Sequence, residues 1–474
     1  MRRGLILAGT LALAACAGGP PPEVATPTPV LPPEFLYAPD APTGTALAEL
    51  LPQSDPGFDT LAAQALAGSP TLGEALARID QARAGADRAG AERLPSLGAN
   101  ASVTGQRTNP AQFGASLPPG VAIDTERVSY AANLTARWDP DIFGRLRAQE
   151  RAALARVDAA TASSLAVRNA LVAEIGASVI DWRTLDARQA AIEEDIAAAE
   201  ELARLAGVRE EAGIAPGFDR VRATSAADAS RSRLAALASE RARLTGRLVT
   251  LTAQGAAQVR SALAPDAPEP ALPESPVALP STLLANRPDV LAAAATLAAE
   301  DAELAATARR RFPVFDLSAV IGLLAFSPSD LFDEDSLVGT LAASVAGPLF
   351  DFGRIEAEID GAAAEERAAF QSYRGAVYTA LGDAEAAYGL VAAADRELTA
   401  AQAEAASLQR AASLAETRQK AGLADFLTVL EARRAADASG ERAAAALGRA
   451  QRARVVLWQA LGGEAQPTSR STSQ

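Results

Sequence analysis

The chain contains a copy of itself, and the spacing of the two copies constrains its fold more than any other feature. "SPTLGEALARID" opens at Ser69 and "RPDVLAAAATLAAE" opens at Arg287, so Pro70 and Pro288 lie 218 positions apart. Each proline begins a helical stretch of about 25 residues, at a position where a missing N–H costs nothing. The stretches close on "RLPSL" and "RFPVF", and Pro95 and Pro313 keep the spacing of 218. Beyond them it changes once: Gly144 and Gly353 are 209 apart, as are Gly213 and Gly422. The change falls inside a strand region, where the loop 108–126 of the first copy answers a shorter 327–336 in the second. Surface loops absorb such length changes; helices do not. The Pro-rich run 264–281 joins the copies.

Each copy reads as helix, strand, loop, strand, very long helix, turn, long helix. The very long helix of the first copy runs from about Leu146 to Leu205, on the order of 90 Å at 1.5 Å per residue. Its counterpart runs from about Ile355 to Gln419. Paired helices of that length suit a rod, a coiled-coil wall or a tube rather than a compact soluble domain. Composition agrees: apolar residues make up 49% but aromatics only 4%, so the apolar load is largely Ala and Leu. Such residues favour helix and let helix axes approach closely. Glu300, Asp301, Glu303, Arg309 and Arg310 fit a wetted helix face.

The four strand candidates alternate with a period of two. Leu97, Ala99, Ala101 and Val103 share one face; Val128, Tyr130, Ala132, Leu134, Ala136 and Trp138 another. In the second copy the apolar sets are Phe315, Leu317, Ala319, Ile321 and Leu323, then Leu337, Leu341, Ala343, Val345 and Leu349. Runs of about 10 residues with one apolar and one polar face are what a membrane β-barrel requires. A soluble sheet with one buried face would alternate in the same way. If the strands enter lipid, four of them cannot close a barrel, and lipid does not tolerate an open sheet edge. The barrel reading therefore demands an oligomer. Three chains would supply twelve strands and twelve long helices.

The first residues read as a secretory signal: Arg2 and Arg3 ahead of the apolar run Leu5 to Ala15, which is too short for an ordinary membrane span. The chain's single cysteine, Cys16, ends the run "LAAC". That run resembles a lipobox, which implies cleavage before Cys16 and lipid on its sulfur and amine. Ala17, not Asp, follows, which points to the outer membrane. The Pro-rich stretch 17–43 reads as an extended tether or wrapping arm. The chain has no histidine, which removes His-based acid–base catalysis and most zinc sites. A net charge of -14 without a basic patch argues against nucleic acid. No P-loop pattern is present, so no NTPase is expected. The expectation is a protein that is not an enzyme and holds no metal or cofactor beyond the covalent lipid.

Five pieces in this order resemble the outer membrane factor family, the TolC/OprM-like group, and within it the lipidated NodT-type members. They are the lipobox ending at Cys16, "WDPDIFGR" at 138–145, "LLANRPDV" at 283–290, "GPLFDFGR" at 347–354 and "WQALGG" at 458–463. The resemblance covers Leu13 to Gly463. It implies a homotrimer with a twelve-stranded transmembrane β-barrel continued by a twelve-helix periplasmic α-barrel. It implies an exit duct of a tripartite efflux system, docked by a periplasmic adaptor and an inner-membrane pump, often of the resistance-nodulation-division type. The exit duct of a protein-secretion system and an elongated surface lipoprotein that is no channel are the alternatives. Two departures are local: the first copy has "VTLTAQ" at 249–254 without the Gly pair of "WQALGG", and "PGFD" at 216–219 stands near its turn.

These readings divide the chain into a signal peptide (1–15), a lipidated Pro-rich arm (16–68), a first repeat (69–263), a linker (264–281), a second repeat (282–463) and a tail (464–474). Strands are expected at about 95–107, 127–139, 312–326 and 336–349, and helical hairpins at 145–263 and 354–461. The hairpins must reverse at Gly213 and Gly422, because glycine permits the left-handed conformation that ends a helix. In the family these tips form the closed iris and the adaptor contact. Glu210, Glu211, Asp219 and Asp425 lie beside the turns, and repeated by symmetry they would make a cation-favouring ring. Asp425 is equally placed to cap the returning helix. Arg418 and Lys420, the chain's only lysine, stand ready to form ion pairs there. Phe143, Gly144 and Arg145, repeated as Phe352, Gly353 and Arg354, mark the joint of strand and helix. The phenylalanines are expected to fill that joint and the arginines to begin the helix. Trp138 is placed to anchor the strand end or simply to pack.

Overall fold

The computed structural model describes residues 24–39, 44–109, 126–214, 216–266, 268 and 272–463. Cys16 and the signal segment lie outside the described residues, as does the tail from 464. The helices are α1 (Pro56–Gly68), α2 (Pro70–Ala91), α3 (Arg145–Glu211), α4 (Gly217–Thr252), α5 (Ala256–Leu263), α6 (Pro280–Asn286), α7 (Pro288–Ala308), α8 (Arg354–Lys420) and α9 (Phe426–Ala460). The strands are β1 (Ser96–Arg107), β2 (Glu126–Trp138), β3 (Val314–Ala325) and β4 (Leu337–Ala346). The chain folds as two compact units. Among the described residues, one holds those up to Pro27 and within Asp80–Ala159 and Ala294–Ser372; the other holds those within Thr28–Ile79 and Ala160–Ala293 and from Tyr373 to Gly463.

The first unit contains the sheet, an antiparallel meander in the order β1-β2-β3-β4. The central pairing of β2 with β3 joins the two copies. Register aligns like faces across all four strands: Leu97, Ala136, Ala319 and Leu341 form one row, and Ala99, Leu134, Ile321 and Gly339 the next. Leu97 is 84% exposed and Leu341 is 83% exposed. Every residue of β1 and β4 is exposed, so no element among the described residues covers the apolar face of these strands. A soluble sheet with one buried face is therefore not what forms. β4 ends at Ala346 rather than near 349. Gly347 and Pro348 follow, and proline has no N–H to extend the ladder.

The second unit holds the larger cores. The helices form because α3 and α8, 67 residues each, contain no proline and are built of Ala, Leu, Glu and Arg. One core gathers Phe35, Ala384, Tyr388, Ala446, Ala450, Leu457 and Trp458. Another joins Phe58 and Leu61 of α1 to Ile175, Val179, Leu248 and Val259. The arm is thus not an extended tether throughout. Phe35 packs on Tyr388 with ring centroids 5.6 Å apart, and α1 is a helix with one buried face, capped by Asp55, whose carboxylate accepts from the Gly57 amide at 2.8 Å. The expected 145–263 hairpin also breaks, at Ala253 with φ 54, before the separate helix α5. The linker's last residues already belong to α6.

Two of the quoted sequence pieces meet in this unit. Arg287 of "RPDV", 8% exposed, donates to the Ala460 carbonyl at 3.1 Å, to Asp289 at 2.7 Å and to Asp383 at 3.0 Å. It thereby satisfies an orphan carbonyl at the end of α9. Burial alone would raise the Asp289 carboxyl, but Arg287 outweighs it and holds that group below its ordinary value. Gly462 and Gly463 of "WQALGG" complete the joint. Gly462 has φ 104, and a Cβ there would lie 2.8 Å from the Asn286 carbonyl oxygen. Asn169 donates to the Gly462 carbonyl at 2.7 Å. The piece "VTLTAQ" needs no Gly pair, because Ala253 takes the left-handed position itself.

Arg287→Ala leaves the buried Ala460 carbonyl unpaired and is expected to cost about 2–4 kcal/mol, moderated because both carboxylates keep contact with water. Thermal melting of the purified protein should fall by several degrees. Gly462→Ala should fall similarly, from backbone strain and the close carbonyl.

Candidate functional site: the strand-to-helix joints and the hairpin turns

The two joints place corresponding residues at the start of corresponding helices. Arg145 is the first residue of α3 and Arg354 the first of α8. Gly144 and Gly353 have φ 77 and φ 85. Arg145 reaches Asp139 at 3.1 Å and Arg354 reaches Glu358 at 2.6 Å. The phenylalanines differ. Phe143 stacks on Phe312, with centroids 4.9 Å apart and planes at 16°, and leans on Phe315. Phe352 does not fill a joint among the described residues: it is 90% exposed, and its one ring contact among them is with Phe350, edge-on at 4.5 Å. Trp138 packs one edge by donating Nε1–H to the Arg93 carbonyl at 3.0 Å.

What the motif reading missed are the acids that start both helices. Asp141 accepts from the amides of Leu146 at 2.9 Å and Arg147 at 2.8 Å. Asp351 accepts from Gly353 at 3.2 Å and Ile355 at 2.9 Å. Each satisfies orphan N–H groups of a helix start and sits at the positive end of its dipole. Hydrogen bonds from Ile355 hold the Asp351 carboxyl below its ordinary value. An aspartate just before a long helix was the available signal. It was easy to miss because the acid shifts by one position between "DIFGR" and "FDFGR". Besides the glycines, each joint has a second left-handed residue, and this one shifts too: Asp141 has φ 51 in the first joint and Phe352 has φ 57 in the second.

The hairpin turns share one geometry. The Gly213 amide donates to the Glu210 carbonyl at 2.9 Å and Ile214 to Arg209 at 2.9 Å; Gly422 donates to Gln419 at 2.9 Å and Leu423 to Arg418 at 2.8 Å. This paired pattern closes a helix around a left-handed residue, and φ is 71 at Gly213 and 73 at Gly422. The exits differ. Asp425 caps α9 by accepting from the Thr428 amide at 2.8 Å, and its hydrogen bonds with Thr428 hold its carboxyl low. In the first hairpin Pro216 stands at the cap with no side-chain acceptor, and Asp219 lies in the first turn of α4.

The acids beside the turns are therefore not one uniform set. Glu210 pairs with Arg220 at 2.7 Å and Asp425 caps, while Glu211 is exposed and Asp219 half-buried. Arg418 and Lys420 are exposed on the last turn of α8. Ile214, Phe218 and Leu423 expose 70%, 62% and 69% of their surface. Near the turns the two hairpins pack together, with Ala199 and Ala206 of α3 and Ala223, Ala226 and Ala227 of α4 against Phe426 and Leu430 of α9.

A Cβ at Gly422 meets nothing within 4 Å, so Gly422→Ala strains only the backbone, by about 1–2 kcal/mol. Amide exchange at the second turn should rise, and Gly422→Asn should restore most of the protection because asparagine tolerates the left-handed region.

Comparison with known proteins agrees with these features. The family model described as "Outer membrane efflux protein" matches residues 61–254 and 279–463. The chain is 31% identical over 411 residues to the pyoverdine export outer membrane protein OpmQ of Pseudomonas aeruginosa, covering 86% of this chain and 85% of that one. It is 25% identical to Nodulation protein T of Rhizobium leguminosarum bv. trifolii, covering 98% and 97%. The solved outer-membrane channel OprN superposes with a TM-score of 0.83 at 26% identity, over 94% of this chain and 99% of that one. Channels of this family act as trimers together with an adaptor and an inner-membrane pump. The chain belongs to the outer membrane efflux protein family: it is an outer-membrane channel, the exit duct of an efflux pump.

Proposed function

We propose that three copies of this chain close one duct, anchored by lipid on Cys16 and docked at the hairpin turns by a periplasmic adaptor. The observation that carries this reading is the sheet. Its apolar face is uncovered and its outer strands, β1 and β4, each pair on one side only among the described residues. Sheet edges and apolar faces of that kind are stable when strands of neighbouring copies close a barrel and lipid covers the outside. Three meanders of four strands give twelve. Gly213, Gly422 and the residues around them, including Glu210, Glu211, Asp219 and Asp425, form the periplasmic end and the adaptor contact. Exposed Ile214, Phe218 and Leu423 supply an apolar surface for that contact, and the exposed Arg418 and Lys420 supply charge.

The joints at Phe143, Gly144 and Arg145 and at Phe352, Gly353 and Arg354 mark the seam between membrane strand and wall helix. In this reading Phe352, exposed within one chain, packs against a neighbouring copy. The pump is of the resistance-nodulation-division type, and it supplies the transport energy. The family match favours efflux over a protein-secretion duct.

Light scattering of the protein in mild detergent should give the mass of three chains; a stable monomer overturns the closed barrel. In planar bilayers the assembled protein should conduct. Cys16→Ala should abolish incorporation of labelled palmitate and remove the lipid mass from the mature N-terminus. An unchanged mass in that variant would exclude the anchor.

A further inference from the structure

The repeat duplicates strand register as well as elements. Shifting every β1 residue by 218 and every β2 residue by 209 turns the first strand pair into the second. Ser96 opposite Arg137 becomes Val314 opposite Ala346, and Leu97 opposite Ala136 becomes Phe315 opposite Val345; both are pairs that β3 and β4 make. The sheet also holds one pairing between the repeats, β2 with β3. The same shifts turn that pairing into β4 with β1. Within one chain those two strands stand at opposite sides of the sheet.

The strand-to-helix joint carries the same open counterpart. Phe143, beyond β2, stacks on Phe312 and leans on Phe315, at the start of the second repeat's sheet. The shifts send Phe143 to Phe352, Phe312 to Leu94 and Phe315 to Leu97. All three counterparts are apolar, and all three are uncovered: Phe352 is 90% exposed, Leu94 66% and Leu97 84%. Phe143, with its ring contacts made, is 39% exposed. The fold thus makes this contact once between its repeats and leaves both halves of the second one bare.

We propose that β4 of one chain pairs with β1 of the next in the register that β2 and β3 already show, and that Phe352 docks on Leu94 and Leu97 of that next chain. This rests on the closed-duct reading and adds to it the residues that meet at the seam. Tyr130 opposite Ala325 becomes Gly339 opposite Arg107, and Arg137 opposite Ser318 becomes Ala346 opposite Asn100. Between those ends Leu341 faces Gly105, Ala343 faces Val103 and Val345 faces Ala101, a large side chain against a small one each time. On the other face Thr340 meets Gln106 and Ser344 meets Ser102. Apolar and polar rows therefore run on unbroken from chain to chain. A slip of one residue would set the apolar side chains of β4 beside the polar ones of β1. A slip of two keeps the faces but carries Phe352 about 7 Å along the strand from Leu94 and Leu97.

Cysteine pairs in the full-length assembled protein test it. Ala101→Cys with Val345→Cys sets two thiols directly opposite each other across the seam, with Cβ atoms about 5 Å apart. Within one chain the two lie three strands apart, about 14 Å, so a bridge between them joins two chains. Mild oxidation and a denaturing gel should show covalent dimers and trimers that reductant dissolves. The protein with Cys16 alone, oxidised in the same way, sets the background. Ala101→Cys with Leu341→Cys, about 13 Å out of register, should give at least about tenfold less bridged product. Equal yields, or more from the offset pair, overturn the register. A trimer by light scattering in which neither pair bridges overturns the register and leaves the closed duct standing; a monomer removes both. Should the cysteine variants fail to assemble, a photo-reactive benzophenone in place of Phe352 decides. Crosslinking to a peptide holding Leu94 and Leu97 of another chain supports the seam, and crosslinking elsewhere, or none, overturns it.

Discussion

Along the outer sides of β1 and β4 the backbone N–H and C=O groups find no strand among the described residues, and a bilayer offers nothing to replace one. The rest of the structure is intelligible from that constraint. A sheet with exposed outer strands and two sides unpaired among the described residues is not stable alone in water or in lipid, and the proposed closure with further copies removes both sides. The apolar rows that run across all four strands become a continuous outer surface only when strands from other copies continue them. In the proposed barrel the polar rows opposite, with Asn100, Asn133, Thr135 and Thr340, face the wet interior.

The helical part meets the same demand for satisfied backbone groups by different means. Asp141 and Asp351 cap the first amides of the two 67-residue helices, and paired turns at Gly213 and Gly422 close their last carbonyls. Arg287 does the equivalent for the end of α9 by reaching the Ala460 carbonyl. Ion pairs then tie helix to helix: Arg452 with Asp181, Arg449 with Glu397, Arg442 with Glu404. Exposed pairs of this kind are individually weak. The Ala-rich contacts beneath them carry the packing, because small side chains bring helix axes close enough for dispersion to accumulate.

Much of this was legible because it is periodic. Alternation located all four strands, and the 209-residue spacing of glycines located both joints and both turns. The caps were less legible, since one acid shifts by a residue between the copies and motif comparison looks for fixed positions. Asp425 is one residue that a charge reading would place in a ring and the structure places in a cap; Glu210, drawn to Arg220, is another. The meaning of "RPDV" and "WQALGG" was hidden for a different reason. Arg287 and Ala460 are brought together by packing alone, and nothing local to either stretch records the other.

By itself the sequence determined the repeat, the type of its strands and long helices, and the places of both joints and both turns. Those are set by local periodicity, proline and glycine placement and capping chemistry, all of which act within a few residues. Only the tertiary structure decided that the arm folds back through Phe35 and α1, that Phe352 faces outward, and that Asp195 is buried against Ser230 and Arg233. Such outcomes depend on which surfaces meet across hundreds of residues of chain. The energy of a buried carboxyl or an uncovered ring is fixed by its neighbours in space, which the order of residues does not name.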